Sequence, residues 1–306
     1  LAPDRPGLVV PAPTNAHTHI ADLLARGHVE ASTVEEVFAP PDGIKHRLLA
    51  AASDQELVAS MRQALDEASA HGMARVLDFR EGGPAGARLA RQASAEASAE
   101  MVVLGRPTEP GRWAAEAGAL KDLVDGLGVS GIEDQPFEVT QAQAAWCRDH
   151  GKILALHVSE ARQEDLEAVL SLEPDLLVHA TQVTGEDIQA LAQARVPVVL
   201  CPRSNALFDN TPPVLELLEA GVPLGLGSDN AMFQTVEVWQ EAAFLLDRFP
   251  SLEPVHVLRM ACAFSLPGQA PPALAPGERV CVVDTGKGLR TGLTHAWVEV
   301  PWQLAR

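Results

Sequence analysis

The sequence predicts an α/β protein, a (β/α)8 TIM-type barrel followed by a short C-terminal β segment, on three observations. Its 306 residues suffice for one such barrel, a fold of about 250 residues, with a small remainder. Short β-rich runs alternate with longer alanine-rich stretches through most of the chain, the pattern of parallel strands joined by crossover helices. Polar residues of one chemical kind gather where those runs end, and barrels keep their chemistry at the C-terminal ends of their strands.

Eight strands are expected, at Leu8–Ala12, Ala74–Phe79, Met101–Gly105, Leu127–Ser130, Ile153–His157, Leu176–His179, Pro197–Cys201 and Leu224–Asp229. Helices fill the intervals, among them Gln55–Ala70, Gln141–His150, Glu186–Ala194 and Gln234–Arg248. His71-Gly72, His150-Gly151 and Ala220-Gly221 precede strands two, five and eight, where a glycine can take the left-handed conformation that ends a helix. His71 and His150 therefore read as helix-end residues facing the dipole's negative pole. Past Pro271 the chain turns rich in Pro, Ala and Gly, and strands are expected at Arg279–Asp284 and Ala296–Val300. The expected division is a barrel over residues 1–270 and a β segment over 271–306.

Composition narrows the function classes. The chain is 47% hydrophobic and 21% charged, enough for a sizeable core, and no apolar run approaches the roughly 20 residues a membrane span needs. Nothing near the N-terminus reads as a secretory leader, so the cytoplasm is the expected compartment. Cys147, Cys201, Cys262 and Cys281 lie far apart without a Cys-x-x-Cys pair, which argues against a disulfide framework or a thiolate zinc site. A formal net charge of −18 repels phosphate backbones and anionic lipid, and no basic patch offsets it, so neither nucleic acid nor membrane is an expected partner.

The first strand runs into Thr14-Asn15-Ala16-His17-Thr18-His19, and alternation along extended chain turns His17 and His19 the same way. Strand five ends in His157, strand six in His179 and strand eight in Asp229. A lone histidine at any of these places would more often be a hydrogen-bonded structural residue than a ligand. Four histidines and an aspartate at one rim point instead to a nitrogen- and oxygen-ligated metal such as zinc or iron.

With Asn15-Ala16-His17-Thr18-His19, His157-Val158-Ser159-Glu160, Val178-His179-Ala180, Cys201-Pro202-Arg203-Ser204-Asn205 and Gly227-Ser228-Asp229-Asn230, the chain resembles the amidohydrolase superfamily along nearly its whole length. The resemblance is to the branch of cytosine, guanine and adenosine-type deaminases and chlorohydrolases. It implies that His17, His19, His157 and Asp229 bind a metal, that His179 contacts hydroxide or substrate, and that Glu160 shuttles protons. Two-metal members carry a bridging lysine after strand four, where this chain reads Gly131-Ile132-Glu133-Asp134. Lys152 stands at the opposite end of strand five, so one divalent ion is expected, zinc before iron. Relatives also place several β-sandwich strands ahead of the barrel, whereas about a dozen residues precede His17 here. The C-terminal segment then reads as a reduced β-sandwich remnant, and a homo-oligomer could cover the barrel's outer face.

The chemistry suits the residue types. A catalytic metal lowers the pKa of bound water from about 15.7 to near 7, making hydroxide available at neutral pH. A carboxyl group must then carry protons between water, ring nitrogen and departing amine, and Glu160, three residues past His157, is placed for it. Its structural alternative is helix-end electrostatics at the turn into the next helix. Gly225 and Gly227, ahead of Asp229, could leave room for metal or substrate, or mark a tight packing point. Arg80, Glu81, Arg106, Asp134, Arg203 and Asn205 end other strands and are candidates for substrate selection, though rim arginines often pair with carboxylates. Cys201 has no partner base in the sequence and reads as a buried strand residue. Asp78-Phe79-Arg80-Glu81-Gly82-Gly83 lacks the lysine and glycine spacing of a phosphate loop.

The resulting expectation is a metal-dependent hydrolase that deaminates an aminated purine, pyrimidine or related heterocycle. Hydrolysis of a cyclic amide or a carbon–halogen bond is the enzymatic alternative, and a catalytically silent metal- or ligand-binding barrel the non-enzymatic one.

Overall fold

Every predicted strand exists, but the chain distributes them over two sheets. In the computed structural model of the protein, which describes residues 7–28, 37, 43–270, 272, 274, 279–284 and 298–301, β1 (Gly7–Pro11) does not join the barrel. It pairs antiparallel with β11 (Arg279–Asp284), which pairs in turn with β12 (Val298–Pro301). The run expected as the first barrel strand thus belongs to a small three-stranded sheet, built from both ends of the described chain and not from the C-terminal segment alone. Pro11-Ala12-Pro13 separates it from the true first barrel strand, β2 (Thr14–His19), because proline offers no N–H with which to continue a ladder. The part of the C-terminal expectation at residues 275–278 and 296–297 lies outside the described residues.

The barrel proper is parallel, in the order β2, β3 (Arg75–Arg80), β4 (Glu100–Gly105), β5 (Gly126–Val129), β6 (Ile153–Val158), β7 (Leu176–His179) and β8 (Val198–Leu200). Its eighth strand is broken at Gly227-Ser228. The first half, β9 (Leu224–Leu226), pairs with β8, and the second, β10 (Asp229–Asn230), pairs with β2. One run therefore touches both neighbours and closes the ring. Both faces of these strands are buried, as their near-continuous apolar runs require. One face packs on the helices, and the other fills the lumen with Ala16, Leu77, Phe79, Leu104, Val178 and Phe264 among others.

The helices follow their sequence signals. Asp54–Ala70 opens on a reciprocal cap in which Ser53 Oγ accepts the Glu56 N–H and Glu56 accepts the Ser53 N–H, and it buries Val58, Met61, Leu65 and Ala68 on one face. Gly72, Gly151 and Gly221 all take positive φ, at 78°, 61° and 80°. The imidazoles of His71 and His150 each donate from Nδ1 to the carbonyl four residues back, at 2.9 and 2.8 Å, so their roles are structural. The helix expected over Gln234–Arg248 starts only at Trp239. Glu237 accepts the N–H groups of Trp239 and Gln240 there, and Gln234 is buried in the preceding turn. Among the described residues no helix is long and apolar enough to cross a membrane.

Gly72 is constrained twice, by its left-handed backbone and by Cys281 Sγ, which would stand 2.4 Å from an added Cβ. Gly151 has the same backbone conformation with open space around it. Gly151→Ala should lose about 1–2 kcal/mol from the backbone alone, and Gly72→Ala more, because β11 must also shift. Equal losses in denaturant titrations would show that the small sheet does not press on this turn.

Candidate metal centre

The rim floor is assembled by strand ends from all sides of the barrel. β2 carries two imidazoles, and its register against β3 slips by one residue between Asn15 and Thr18, a bulge of the kind that re-aims side chains beside active sites. The rings of His17 and His19 stand 5.0 Å apart. His157 on β6 brings its ring to 4.9 Å from His17, and His179 at the end of β7 lies 5.2 Å from His157. From β10, Asp229 Oδ1 reaches 3.2 Å from His17 Nε2 and 3.7 Å from His19 Nε2.

These donors fit a divalent ion. Zinc bonds of about 2.0–2.2 Å in tetrahedral array put neighbouring ligand atoms roughly 3.3–3.6 Å apart, close to the two spacings around Asp229 Oδ1. One nitrogen each of His17, His19 and His157 lie within 4.8 Å of one another, as do single donor atoms of His17, His179 and Asp229. His17 is fully buried, yet neither ring nitrogen has a hydrogen-bond partner. The 3.2 Å approach to Asp229 lacks hydrogen-bond alignment, and an orphaned buried nitrogen facing a carboxylate is what a shared cation would satisfy. His157 donates Nδ1–H to the Val129 carbonyl at 3.0 Å, which leaves the Nε2 lone pair for the centre.

Charge states suit coordination. Burial lowers His17, His19, His157 and His179, with Lys45 adding to the effect at His19, so the imidazoles are neutral at pH 7. Burial alone would raise Asp229, but its contacts with His17 and the other histidines hold it well below the usual carboxylate range. Glu160 behaves oppositely. Burial, then the Asp229 carboxylate, push it up to about 8, although 43% of its side chain is open toward the rim. Its Oε1 stands 3.5 Å from His179 Nε2. Asn205 donates from Nδ2 to His179 Nδ1 at 3.1 Å, so the His179 proton resides on Nε2, facing Glu160.

The remaining rim candidates are engaged with protein. A single oxygen, Glu81 Oε1, meets Arg106 at 2.7 Å, Lys45 at 2.8 Å and His19 Nδ1 at 3.7 Å, while Arg80 holds the other oxygen at 3.1 Å. Arg203 pairs with the buried Glu241, whose carboxylate also accepts the Arg203 N–H at 2.9 Å. Asp134 is exposed. Lys152 donates to the Val124 carbonyl at the far end of the barrel. Cys201 is buried, and burial pushes its thiol well above the ordinary value, which suits a packing role.

Three expectations change. Glu160 is not at a helix start: the next helix begins at Leu166, and Asp165 caps it by accepting the Ala168 N–H, so helix-end electrostatics does not account for Glu160. The glycines ahead of Asp229 make room for protein rather than for metal or substrate. A Cβ on Gly225 would strike Phe264 at 2.4 Å, and one on Gly227 would strike His17 Cβ at 2.7 Å and its carbonyl at 2.9 Å. The third change is an addition. Lys45 and Asp22, paired at 2.7 Å behind His19, carry no motif and are marked only by their burial as polar residues, while Ser204, within the Cys201–Asn205 motif, donates to Asp229 Oδ2, a role the motif alone did not assign.

The profile of the amidohydrolase family matches residues 6–263. A putative aminohydrolase of Methanothermobacter thermautotrophicus is 33% identical over 282 residues, covering 83% of this chain and 72% of that protein. A 5-methylthioadenosine/S-adenosylhomocysteine deaminase of Natronomonas pharaonis is 27% identical over 282 residues, covering 78% and 62%. Among solved structures, an adenosine deaminase of Xanthomonas campestris with bound zinc superposes with a TM-score of 0.71 at 19% identity, over 91% of this chain and 72% of that one.

If these donors hold the ion, His17→Ala and Asp229→Asn should each weaken divalent-ion affinity by more than the roughly 10- to 100-fold typical of losing a partner behind a ligand. Elemental analysis and zinc titration check this, and parental content in both variants would remove them from the centre.

Proposed function

Because the chain belongs to the amidohydrolase family, we propose that it is a hydrolytic deaminase of an aminated purine, pyrimidine or related heterocycle, with His17, His19, His157 and Asp229 holding one divalent ion, zinc before iron. The observation that carries the reading is the pairing of a half-buried carboxyl, Glu160, with His179 Nε2 at 3.5 Å, beside a convergent set of neutral imidazoles and one carboxylate. A silent binding barrel has no use for a proton-carrying group placed there. Relatives named as aminohydrolases and deaminases support the same class.

Bound in this centre, the ion would supply Lewis acidity, lowering the pKa of water from about 15.7 toward 7. The chain's own residues account for the protons. Deamination replaces the exocyclic C–NH2 bond of a ring carbon with C=O and releases ammonia: one proton of water goes to the adjacent ring nitrogen, and the other passes from the added oxygen to the departing amine. Glu160 can hold a proton on its carboxyl at neutral pH, and the positive charge of a bound ion would draw its pKa back down, so the group can both give and take. His179, fixed by Asn205, presents Nε2–H to the oxygen arriving at the ring carbon. Glu81 steadies His19 from behind, itself pinned by Lys45, Arg80 and Arg106.

A panel of aminated heterocycles assayed for ammonia tests the reaction class. Halide release or ring opening without ammonia would overturn the deaminase assignment while leaving a hydrolase. Metal content measured on the same sample should be close to one per chain, and activity tracking a second equivalent would overturn the one-ion site. Glu160→Gln should keep the metal and lose about 100- to 10,000-fold in turnover, since the amide keeps the shape but cannot carry the proton. Rates within about threefold of the parent would take Glu160 out of the mechanism.

A further inference from the structure

Glu160 has a carboxylate that must be aimed and almost nothing on its own side chain to aim it. Among the described residues its one close polar side-chain contact is the 3.5 Å approach to His179, and it sits in a bend rather than a helix. Its position is therefore set by its backbone, and that backbone is held from both sides. The Ser159 N–H donates to Glu164 Oε2 at 2.7 Å, and Ser159 Oγ accepts the Glu164 N–H at 3.1 Å. Against the raising effect of burial, the backbone N–H groups of Ile132 and Glu133 after β5 also favour the ionised Glu164 carboxylate. It occupies the space a side chain on Gly131 would need, since a Cβ there would stand 2.5 Å from Glu164 Oε1.

On the other side lies Thr181, two residues past His179 and buried. Its hydroxyl reaches the Ser159 carbonyl at 3.0 Å and also the Glu160 carbonyl, and the Gln182 N–H donates to the Ser159 carbonyl at 2.8 Å. A threonine has one hydroxyl proton, so the two carbonyls share it, which pulls both toward β7. Ser159 is meanwhile held at φ 46°, a conformation that strains a non-glycine residue and persists only where surrounding contacts impose it. The clamp supplies those contacts.

We propose that Thr181 and Glu164 are positioning residues that hold the Ser159–Glu160 backbone so that the Glu160 carboxyl stays beside His179 Nε2. The inference rests on Glu160 as the proton carrier. It assigns the Thr181 hydroxyl, not its methyl, as the effective group, and makes β7 the source of both the histidine and the tether that matches Glu160 to it.

The test compares crystal structures, zinc content, melting temperature and steady-state ammonia release for the full-length parent, Thr181→Val, Thr181→Ser and Glu160→Gln. In Thr181→Val the Glu160 carboxyl should leave His179 Nε2, with kcat down about 10- to 100-fold, the scale expected for a misplacement near 1 Å. KM and zinc content should stay near parental. Thr181→Ser, which keeps the hydroxyl, should keep both position and rate, and Thr181→Val should add no further loss to Glu160→Gln. Glu160 in place with parental kcat in Thr181→Val would overturn the inference, as would Thr181→Ser as slow as Thr181→Val. Should Thr181→Val fail to fold, Glu164→Gln replaces it under the same criteria. Near-normal turnover in Glu160→Gln would sink the proposed mechanism instead, while the crystal comparison still decides whether Thr181 holds the backbone.

Discussion

The closure of the barrel through its eighth strand is the constraint on which the metal centre depends. The strand passes from β8 to β2 across Gly227-Ser228, and Gly227 lies so close to His17 that no side chain fits between them. Asn15 locks the seam by donating to Ser228 Oγ at 2.8 Å and accepting the Ser228 N–H at 3.0 Å. The same seam sets Asp229 opposite Thr18 and Asn230 opposite His19, which brings a carboxylate from near the end of the barrel onto imidazoles from its beginning. Residues some 200 positions apart become neighbours because the ring can close in only one register. A change at Gly227 would move barrel closure and ligand geometry together, so stability and metal binding are not separable at that point.

Closure also fixes the electrostatics. Strand ends packed over an apolar lumen, with Phe79 4.4 Å from the His17 ring, form a floor of low dielectric where every charge needs a partner. The imidazoles meet this by staying neutral. Asp229, met by the histidines and by the Ser204 hydroxyl, is held well below the usual carboxylate range, whereas burial, then the Asp229 carboxylate, push Glu160 up to about 8. Two carboxyl groups at one rim are thus driven apart in pKa by their neighbours, the pattern that separates a ligand from a proton carrier.

The sequence made legible whatever depends on period and position. The His-x-His run, the strand-end His157, His179 and Asp229, and the glycines that stop helices at Gly72, Gly151 and Gly221 follow from local rules. Less legible was anything decided by what lies across the fold. Gly7–Pro11 has a strand's composition, but nothing within it distinguishes a barrel neighbour from β11. Gly225 and Gly227 signal close approach without naming the occupant, which proves to be Phe264 and His17. Gln234–Val238 carries acceptable helix residues, yet burial of Gln234 and capping by Glu237 delay the helix to Trp239. Lys45, Asp22, Glu164 and Thr181 are common residue types without a motif, and become significant only once their partners on other strands are known.

Backbone strain shows which parts of the rim are built rather than merely tolerated. Ser159, His179, Ala180 and Asp229 all have positive φ: His179 ends β7, Ser159 and Ala180 follow β6 and β7, and Asp229 opens β10 after the break in the eighth strand. Three of these residues are tied down by side-chain bonds. Asn205 holds His179, Ser204 holds Asp229, and Thr181 and Glu164 hold Ser159. On the opposite side, the charged cluster of Glu81, Lys45, Arg80 and Arg106 steadies His19, and the left-handed positions that follow β3 fall on glycines, Gly82 and Gly83. The rim is therefore braced by two means, hydrogen bonds around His179, Asp229 and Ser159 and ion pairs behind His19. Against burial, Lys45, Arg106, His19 and Arg80 hold Glu81 well below the usual carboxylate range, whereas burial pushes Glu160 up to about 8, so a change near neutral pH acts on the Glu160 half of the rim first.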